Sequence, residues 1–161
     1  MAQTDIIELV KELAQRAVAR QRVLATAESC TGGLISAAFT EVAGSSGWFD
    51  RGFVTYSNSA KSEMLGVPEQ TLQTHGAVSE ATVIAMAEGA VARSNASLTV
   101  SVSGVAGPDG GSVEKPVGTV WIGCAGKSVQ SFAEAHLFNG DRASVRHQTV
   151  IEAARLLIRC I

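Results

Sequence analysis

A single α/β domain built on a mixed sheet is the fold class this sequence predicts, on three observations. Short apolar runs alternate with segments of helical period, three turns rich in glycine or small polar residues directly follow strand-like runs, and the last two such runs are joined by a tight turn. Alternation with helices sets neighbouring strands parallel, whereas a tight turn makes its two strands antiparallel. The chain of 161 residues is long enough to bury a core without metal or disulfide staples.

Taken in order, Ile6, Val10, Leu13 and Ala17 recur at helical spacing behind Thr4, a residue type that caps helices, which predicts a helix from near Asp5 to near Gln21. Val23 to Ala27 reads as a strand, Gly32-Gly33 as a turn, and Leu34 to Val42 as a second helix. After the Ser45-Ser46-Gly47 loop, Phe49 to Tyr56 forms a strand. Ser59 caps a short helix that stops at Gly66 and Pro68, setting Lys61 in its first turn. Ser79 and Glu80 begin a helix through Arg93 with Val83, Met86, Ala87 and Ala90 as its apolar stripe. Leu98 to Val102 is the most buried strand and runs into the loop Gly104 to Gly111. Val117 to Cys124 and Val129 to Phe138 form a hairpin across Gly126-Lys127, and Asp141 opens a helix to the C-terminus. There is no repeat, linker or low-complexity segment, so the domain takes residues 1–161.

Composition excludes several classes. The chain is 46% hydrophobic and 17% charged, with a net charge of -2 and dispersed Lys and Arg, which gives no basic surface for nucleic acid or an anionic membrane. No apolar run approaches the roughly 20 residues of a membrane span, and the N-terminus carries Asp5 and Glu8 without the pattern of a signal peptide. Cys30, Cys124 and Cys160 are odd in number and lack CxxC spacing, so a reducing cytoplasm is the expected setting and neither disulfides nor zinc are expected. Asn95-Ala96-Ser97 is a chance sequon in that setting. His75, His136 and His147 are too dispersed for a metal site.

Chemistry concentrates in the three polar turns, because open α/β sheets gather ligands beyond the carboxyl ends of their strands. In Ala27-Glu28-Ser29-Cys30-Thr31-Gly32-Gly33 a hydroxyl sits at a helix start among unpaired N–H groups, where a positive helix end favours an alkoxide. Ser29 is therefore a candidate nucleophile, although Ser29 or Thr31 can equally serve as a plain cap, and Cys30 is a rival nucleophile that reads better as a small packing residue. The N–H groups from Cys30 through Thr31 and Gly32 to Gly33 are the candidate oxyanion hole, with Ser103 and Gly104 as possible contributors. In Tyr56-Ser57-Asn58-Ser59-Ala60-Lys61 the lysine can act as a base if burial populates its neutral form, and the Tyr56 phenol can relay a proton or orient the amine. An isolated lysine is more often a solvated surface group. The third turn, from Ser103 through Gly104 and Gly107 to Gly111, lets backbone approach a phosphate or ribose, yet it is neither a P-loop nor a GxGxxG fingerprint, and a plain connection explains it as well. Arg142, with Arg146 one turn on, can clamp a phosphate or form a surface ion pair.

These same residues resemble the C-terminal domain family of the competence-damage-inducible protein CinA, and within it the stand-alone nicotinamide mononucleotide deamidases. The resemblance is carried by AESCTGG at Ala27 to Gly33, AGSSGWFDRGFVTYSNSAK at Ala43 to Lys61, and GAVSE at Gly76 to Glu80. It continues in SGVAGPDGG at Ser103 to Gly111, KPVGTVW at Lys115 to Trp121 and GDR at Gly140 to Arg142. It implies a three-layer α/β/α sandwich, a homo-oligomer that is most often a dimer, and hydrolysis of nicotinamide mononucleotide to nicotinate mononucleotide and ammonia without metal or other cofactor. It also implies a serine and lysine pair at Ser29 and Lys61, with Tyr56 at the tyrosine position, and phosphate contacts from Arg142 and the glycine loop. Larger family members carry a further N-terminal domain with no counterpart here, so a dedicated deamidase is expected. Two other readings stay open: a nucleotide-binding or regulatory module that keeps the pocket without turnover, and an amidase for another small amide or a peptide. The joint presence of Ser29, Tyr56 and Lys61 favours an enzyme over a binder, since a binder needs no base beside a nucleophile.

Overall fold

Strand β1 (Leu24–Glu28) lies between β2 (Phe49–Val54) and β3 (Leu98–Gly104), and β4 (Thr119–Gly126) and β5 (Val129–Leu137) extend the sheet beyond β3 in the order β2-β1-β3-β4-β5. The computed structural model describes residues 3–161; Met1 and Ala2, which the sequence places in the domain, lie outside the described residues. The pairs β1/β2 and β1/β3 are parallel and β3/β4 and β4/β5 antiparallel, which is the predicted mixed sheet. Helices α1 (Gln3–Ala19), α2 (Leu34–Thr40) and α6 (Arg142–Cys160) cover one face, burying Val10, Leu13, Phe39, Val145 and Leu157 against Leu24, Val100 and Ile122. The other face carries α3 (Asn58–Leu65), α4 (Glu69–His75) and α5 (Glu80–Ala92), which bury Leu65, Leu72, Val83 and Met86. The fold is therefore an α/β/α sandwich. No helix among the described residues is long and apolar enough to cross a membrane.

Alternation along β3 explains how the two faces differ. Leu98, Val100 and Val102 join the α1/α2/α6 core, while Thr99 and Ser101 point at α5 and donate to the Ala87 and Val83 carbonyls. Burying those hydroxyls costs little because each has an acceptor, and their small size lets α5 sit close to the sheet. A Cβ on Gly123 would fall 2.7 Å from the Val83 oxygen, so β4 also leaves this space to the helix.

Element boundaries depart from the sequence reading where local hydrogen bonds decide. Thr4 lies inside α1, which ends at Ala19, not near Gln21; Gln21 has turned to a φ of 53°. Thr40 bonds back to the Ser36 and Ala37 carbonyls and closes α2 before Val42. Ser57, not Ser59, caps α3, because Ser57 is extended and its Oγ accepts the Ala60 N–H at 3.0 Å. The strand β4 starts at Thr119, whose N–H closes a turn on the Pro116 carbonyl, and the hairpin turns at Lys127-Ser128 rather than Gly126-Lys127. The sequence does not disclose helix α4: its seven residues bury only Leu72, too little periodicity to read, although Pro68 followed by an acidic Glu69 is a helix-start signal.

Candidate functional site

Two parallel strands end side by side at the start of this site. Glu28 closes β1 opposite Val54 of β2 and Val102 of β3, and the chain leaves β1 through the Ser29 turn. The Ser29 N–H donates to the Val102 carbonyl at 3.1 Å and Gly32 N–H returns to the Ser29 carbonyl at 3.0 Å, which closes the turn. Gly32 and Gly33 then take φ values of 57° and 105°, a left-handed pair that side-chain-bearing residues rarely adopt, and α2 begins at Leu34. Ser29 is held 7% exposed at this corner.

Lys61 reaches the same corner from the first turn of α3. Its side chain is 1% exposed, and its Nζ lies 3.0 Å from Ser29 Oγ, 3.0 Å from the Thr55 carbonyl and 3.0 Å from the Tyr56 carbonyl. No carboxylate pairs with it among the described residues, and burial pushes its pKa below the ordinary lysine range. Nζ donates to all three oxygens, and Ser29 Oγ donates to the Tyr56 carbonyl at 3.4 Å; a neutral amine keeps two donors for the two carbonyls and turns its lone pair to the hydroxyl. The arrangement thus permits Lys61 to accept the Ser29 proton while both of its own hydrogens stay bonded.

Tyr56 contributes differently from the sequence expectation. Its ring is 63% exposed and its Oη faces Arg142 Nη2 at 3.4 Å, while its backbone carbonyl receives the Lys61 amine. Of Tyr56 it is thus the main-chain carbonyl, and not the phenol, that meets the Lys61 amine in this structure.

The α2 N-terminus is also not what the sequence suggests. Glu28, fully buried, accepts from Gly33 N–H at 3.2 Å, Ile35 N–H at 2.9 Å, Ser36 N–H at 2.9 Å, Ser36 Oγ at 2.7 Å and Thr31 Oγ at 2.6 Å. Every partner is a donor, which suits an acceptor-only carboxylate. The positive end of α2 is therefore occupied by Glu28 rather than left for an alkoxide, and Gly32 and Gly33, expected among the oxyanion donors, already use their N–H groups within the turn. Of the amides in this turn, those of Cys30 and Thr31 donate to no other residue among the described ones. Glu28 escaped the sequence reading; its signal was a carboxylate ending a strand just before a glycine turn and a helix. Cys30 is buried, and burial pushes its thiol up to about 11, against the thiolate a nucleophile requires.

The glycine loop and α6 form the outer wall. Arg142 Nη1 donates to the Gly107 carbonyl at 2.8 Å, and with Ala106, Pro108, Val117 and Arg146 it lines a cleft of about 660 Å³. Ser103 is buried in β3 one residue beyond Val102, while Gly104 ends β3 opposite Val120. A Cβ on Gly104 would lie 2.6 Å from Val120 Cγ2, so sheet packing accounts for this glycine, and a binding role is not needed to explain it. Arg146 does not stand beside Arg142 as a second open clamp: Nε donates to the Cys30 carbonyl at 3.0 Å and Nη2 to the Thr31 carbonyl at 3.2 Å.

Known proteins match over nearly the whole chain. A family model described as the CinA C-terminal domain matches residues 6–161. The nicotinamide-nucleotide amidohydrolase PncC of Escherichia coli is 49% identical over 157 residues, which cover 98% of this chain and 95% of the relative. The protein of the same name from Enterobacter agglomerans is 52% identical over 159 residues, covering 99% and 97%. A crystal structure of the competence/damage inducible protein CihA from Agrobacterium tumefaciens superposes with a TM-score of 0.94 at 46% identity, over 96% of this chain and 94% of that one.

Proposed function

Since the chain belongs to the CinA C-terminal domain family, we propose that it is an amidohydrolase that converts nicotinamide mononucleotide to nicotinate mononucleotide and ammonia, with Ser29 as nucleophile and Lys61 as proton acceptor. The observation that carries this reading is the 3.0 Å contact between a buried amine without a counter-ion and a serine hydroxyl at a strand-end turn. A binding module has no use for that pair, because burying an unpaired lysine is unfavourable and adds nothing to affinity for a nucleotide.

In the proposed reaction Ser29 Oγ attacks the carboxamide carbon as its proton passes to Lys61 Nζ. The oxyanion that forms accepts hydrogen bonds from the Cys30 and Thr31 N–H groups. Collapse breaks the carbon–nitrogen bond, and the Lys61 ammonium protonates the departing nitrogen so that it leaves as ammonia. Water then gives a proton to Lys61 and attacks the acyl-enzyme, releasing nicotinate mononucleotide and restoring Ser29. The pyridinium of the substrate withdraws electrons from its own carboxamide, and the cleft by Arg142 offers a cation for the phosphate. The reading extends to a homo-oligomer, most simply a dimer, working in the cytoplasm in pyridine-nucleotide salvage; sedimentation velocity checks the assembly.

Ammonia release measured against nicotinamide mononucleotide, nicotinamide riboside, free nicotinamide and NAD, with and without chelator, tests the proposal. The mononucleotide is expected to be turned over best, with no effect of chelator, and Ser29→Ala and Lys61→Ala are each expected to abolish release while remaining folded. Near wild-type release by either variant rejects the pair; equal turnover of the riboside removes the phosphate contact.

A further inference from the structure

The Ser29 turn contains two left-handed glycines and is held from opposite sides, and the side nearer α6 has no explanation in the chemistry above. Glu28 grips its N–H groups, while Arg146, 116 residues from Cys30 in sequence, grips its carbonyls through Nε and Nη2. Arg146 makes no ion pair with a carboxylate among the described residues, so its fork is directed wholly at main chain. We propose that Arg146 is a positioning residue that aims the Thr31 amide at the reacting carboxamide by fixing the Cys30 and Thr31 carbonyls toward α6.

The reasoning is stereochemical. In a trans peptide the C=O and the following N–H point in opposite directions. Holding the Cys30 carbonyl on α6 therefore turns the Thr31 N–H away from α6. Thr31 N–H is one of the two amides of the turn that donate to no other residue among the described ones. Without that hold, the Cys30–Thr31 peptide keeps no hydrogen bond to another described residue and can rotate, and a donor displaced from the oxyanion contributes little. A planar fork that spans two acceptors suits this task and an ammonium does not. The inference rests on the proposed function for its substrate, but it makes a distinct claim about Arg146: the residue lines the same cleft as Arg142 without serving as a phosphate ligand.

Two measurements test it on the full-length protein. In ammonia release from nicotinamide mononucleotide, Arg146→Ala is expected to lose about 10- to 100-fold in kcat with KM nearly unchanged, and added guanidinium ion is expected to restore part of the loss. Arg146→Lys keeps the charge, is the variant to use if Ala does not fold, and is expected to stay slow. The second readout needs no substrate: a fluorophosphonate forms a bond from Ser29 Oγ to phosphorus, expels fluoride and leaves its oxygen where the oxyanion would sit. Arg146 variants are expected to be labelled more slowly by a similar factor, followed by intact mass. A raised KM with kcat retained makes Arg146 a phosphate ligand and overturns the proposal, as does labelling or turnover of Arg146→Lys at the wild-type rate. If wild type releases no ammonia from any nicotinamide nucleotide, the proposed function fails, and the labelling rates still decide the role of Arg146.

Discussion

Lys61 is an unusual residue to find 1% exposed, and its surroundings decide which of its two protonation states the fold tolerates. Burial disfavours the ammonium, and two carbonyls with one hydroxyl accommodate the neutral amine. Since the proton acceptor must be neutral, kcat/KM is expected to rise with pH through an apparent pKa below the ordinary lysine value of 10.5. Lys61→Arg, which stays charged, is expected to lose at least about 1000-fold and to lack that rising limb. A profile flat across the neutral and alkaline range would remove Lys61 as the base. Cys30 lies next to the nucleophile but has its thiol pushed up to about 11 by burial, so it is expected to be dispensable to the chemistry. Cys30→Ala should retain activity within a few-fold in the ammonia assay, and inactivation comparable to Ser29→Ala would exchange the two assignments.

A single carboxylate organises the strand-to-helix junction, so the next scale is the element. Glu28 gathers three N–H groups of the turn and the α2 start together with the Ser36 and Thr31 hydroxyls, replacing the cap that Gly33 has no side chain to provide. Glu28→Gln sets an NH2 group against donors in a buried place, and is expected to cost about 3 kcal/mol in urea unfolding. A loss below about 1 kcal/mol would mean that the helix start holds without it. This junction also shows what the sequence discloses. The positions of Ser29 and Lys61 are legible because each falls at a junction where a strand-like run gives way to a helix. The job of Glu28 is not, since its partners at Gly33, Ile35 and Ser36 become neighbours only once the chain folds back over β1. At Tyr56 residue type points to the phenol, whereas the backbone carbonyl that meets Lys61 leaves no mark in the sequence. Arg146 likewise reads as half of a surface pair until α6 is packed beside the Ser29 turn.

Across the whole molecule, the site follows from the order of the strands. The chain passes from β1 outward to β2, then returns across β1 to β3, so the connections diverge at the carboxyl ends of β1 and β3, where α/β sheets leave a crevice. Ser29 follows β1, Ser103 lies in β3 just before its end, and the turn after β2 delivers Lys61. Hydrophobic period was sufficient to foresee the sheet and most helices; the strand order depends on contacts distant in sequence, which periodicity does not encode. Placing an amine inside this crevice has a consequence for global stability. Unfolded Lys61 titrates near 10.5, and its folded pKa is lower, so between those two values the unfolded chain binds more protons and stability rises with pH. Below the folded pKa the full cost of the buried amine is present, and above 10.5 it vanishes because both states are neutral. Lys61→Met removes the titration but leaves the Thr55 and Tyr56 carbonyls without their donor, a constant penalty at every pH. The unfolding free energy of wild type minus that of Lys61→Met is therefore expected to grow in favour of wild type from about pH 7 to about pH 10 in matched urea titrations. A difference that stays flat, or shrinks, would show that the fold holds this amine at its ordinary pKa and that no neutral base waits beside Ser29.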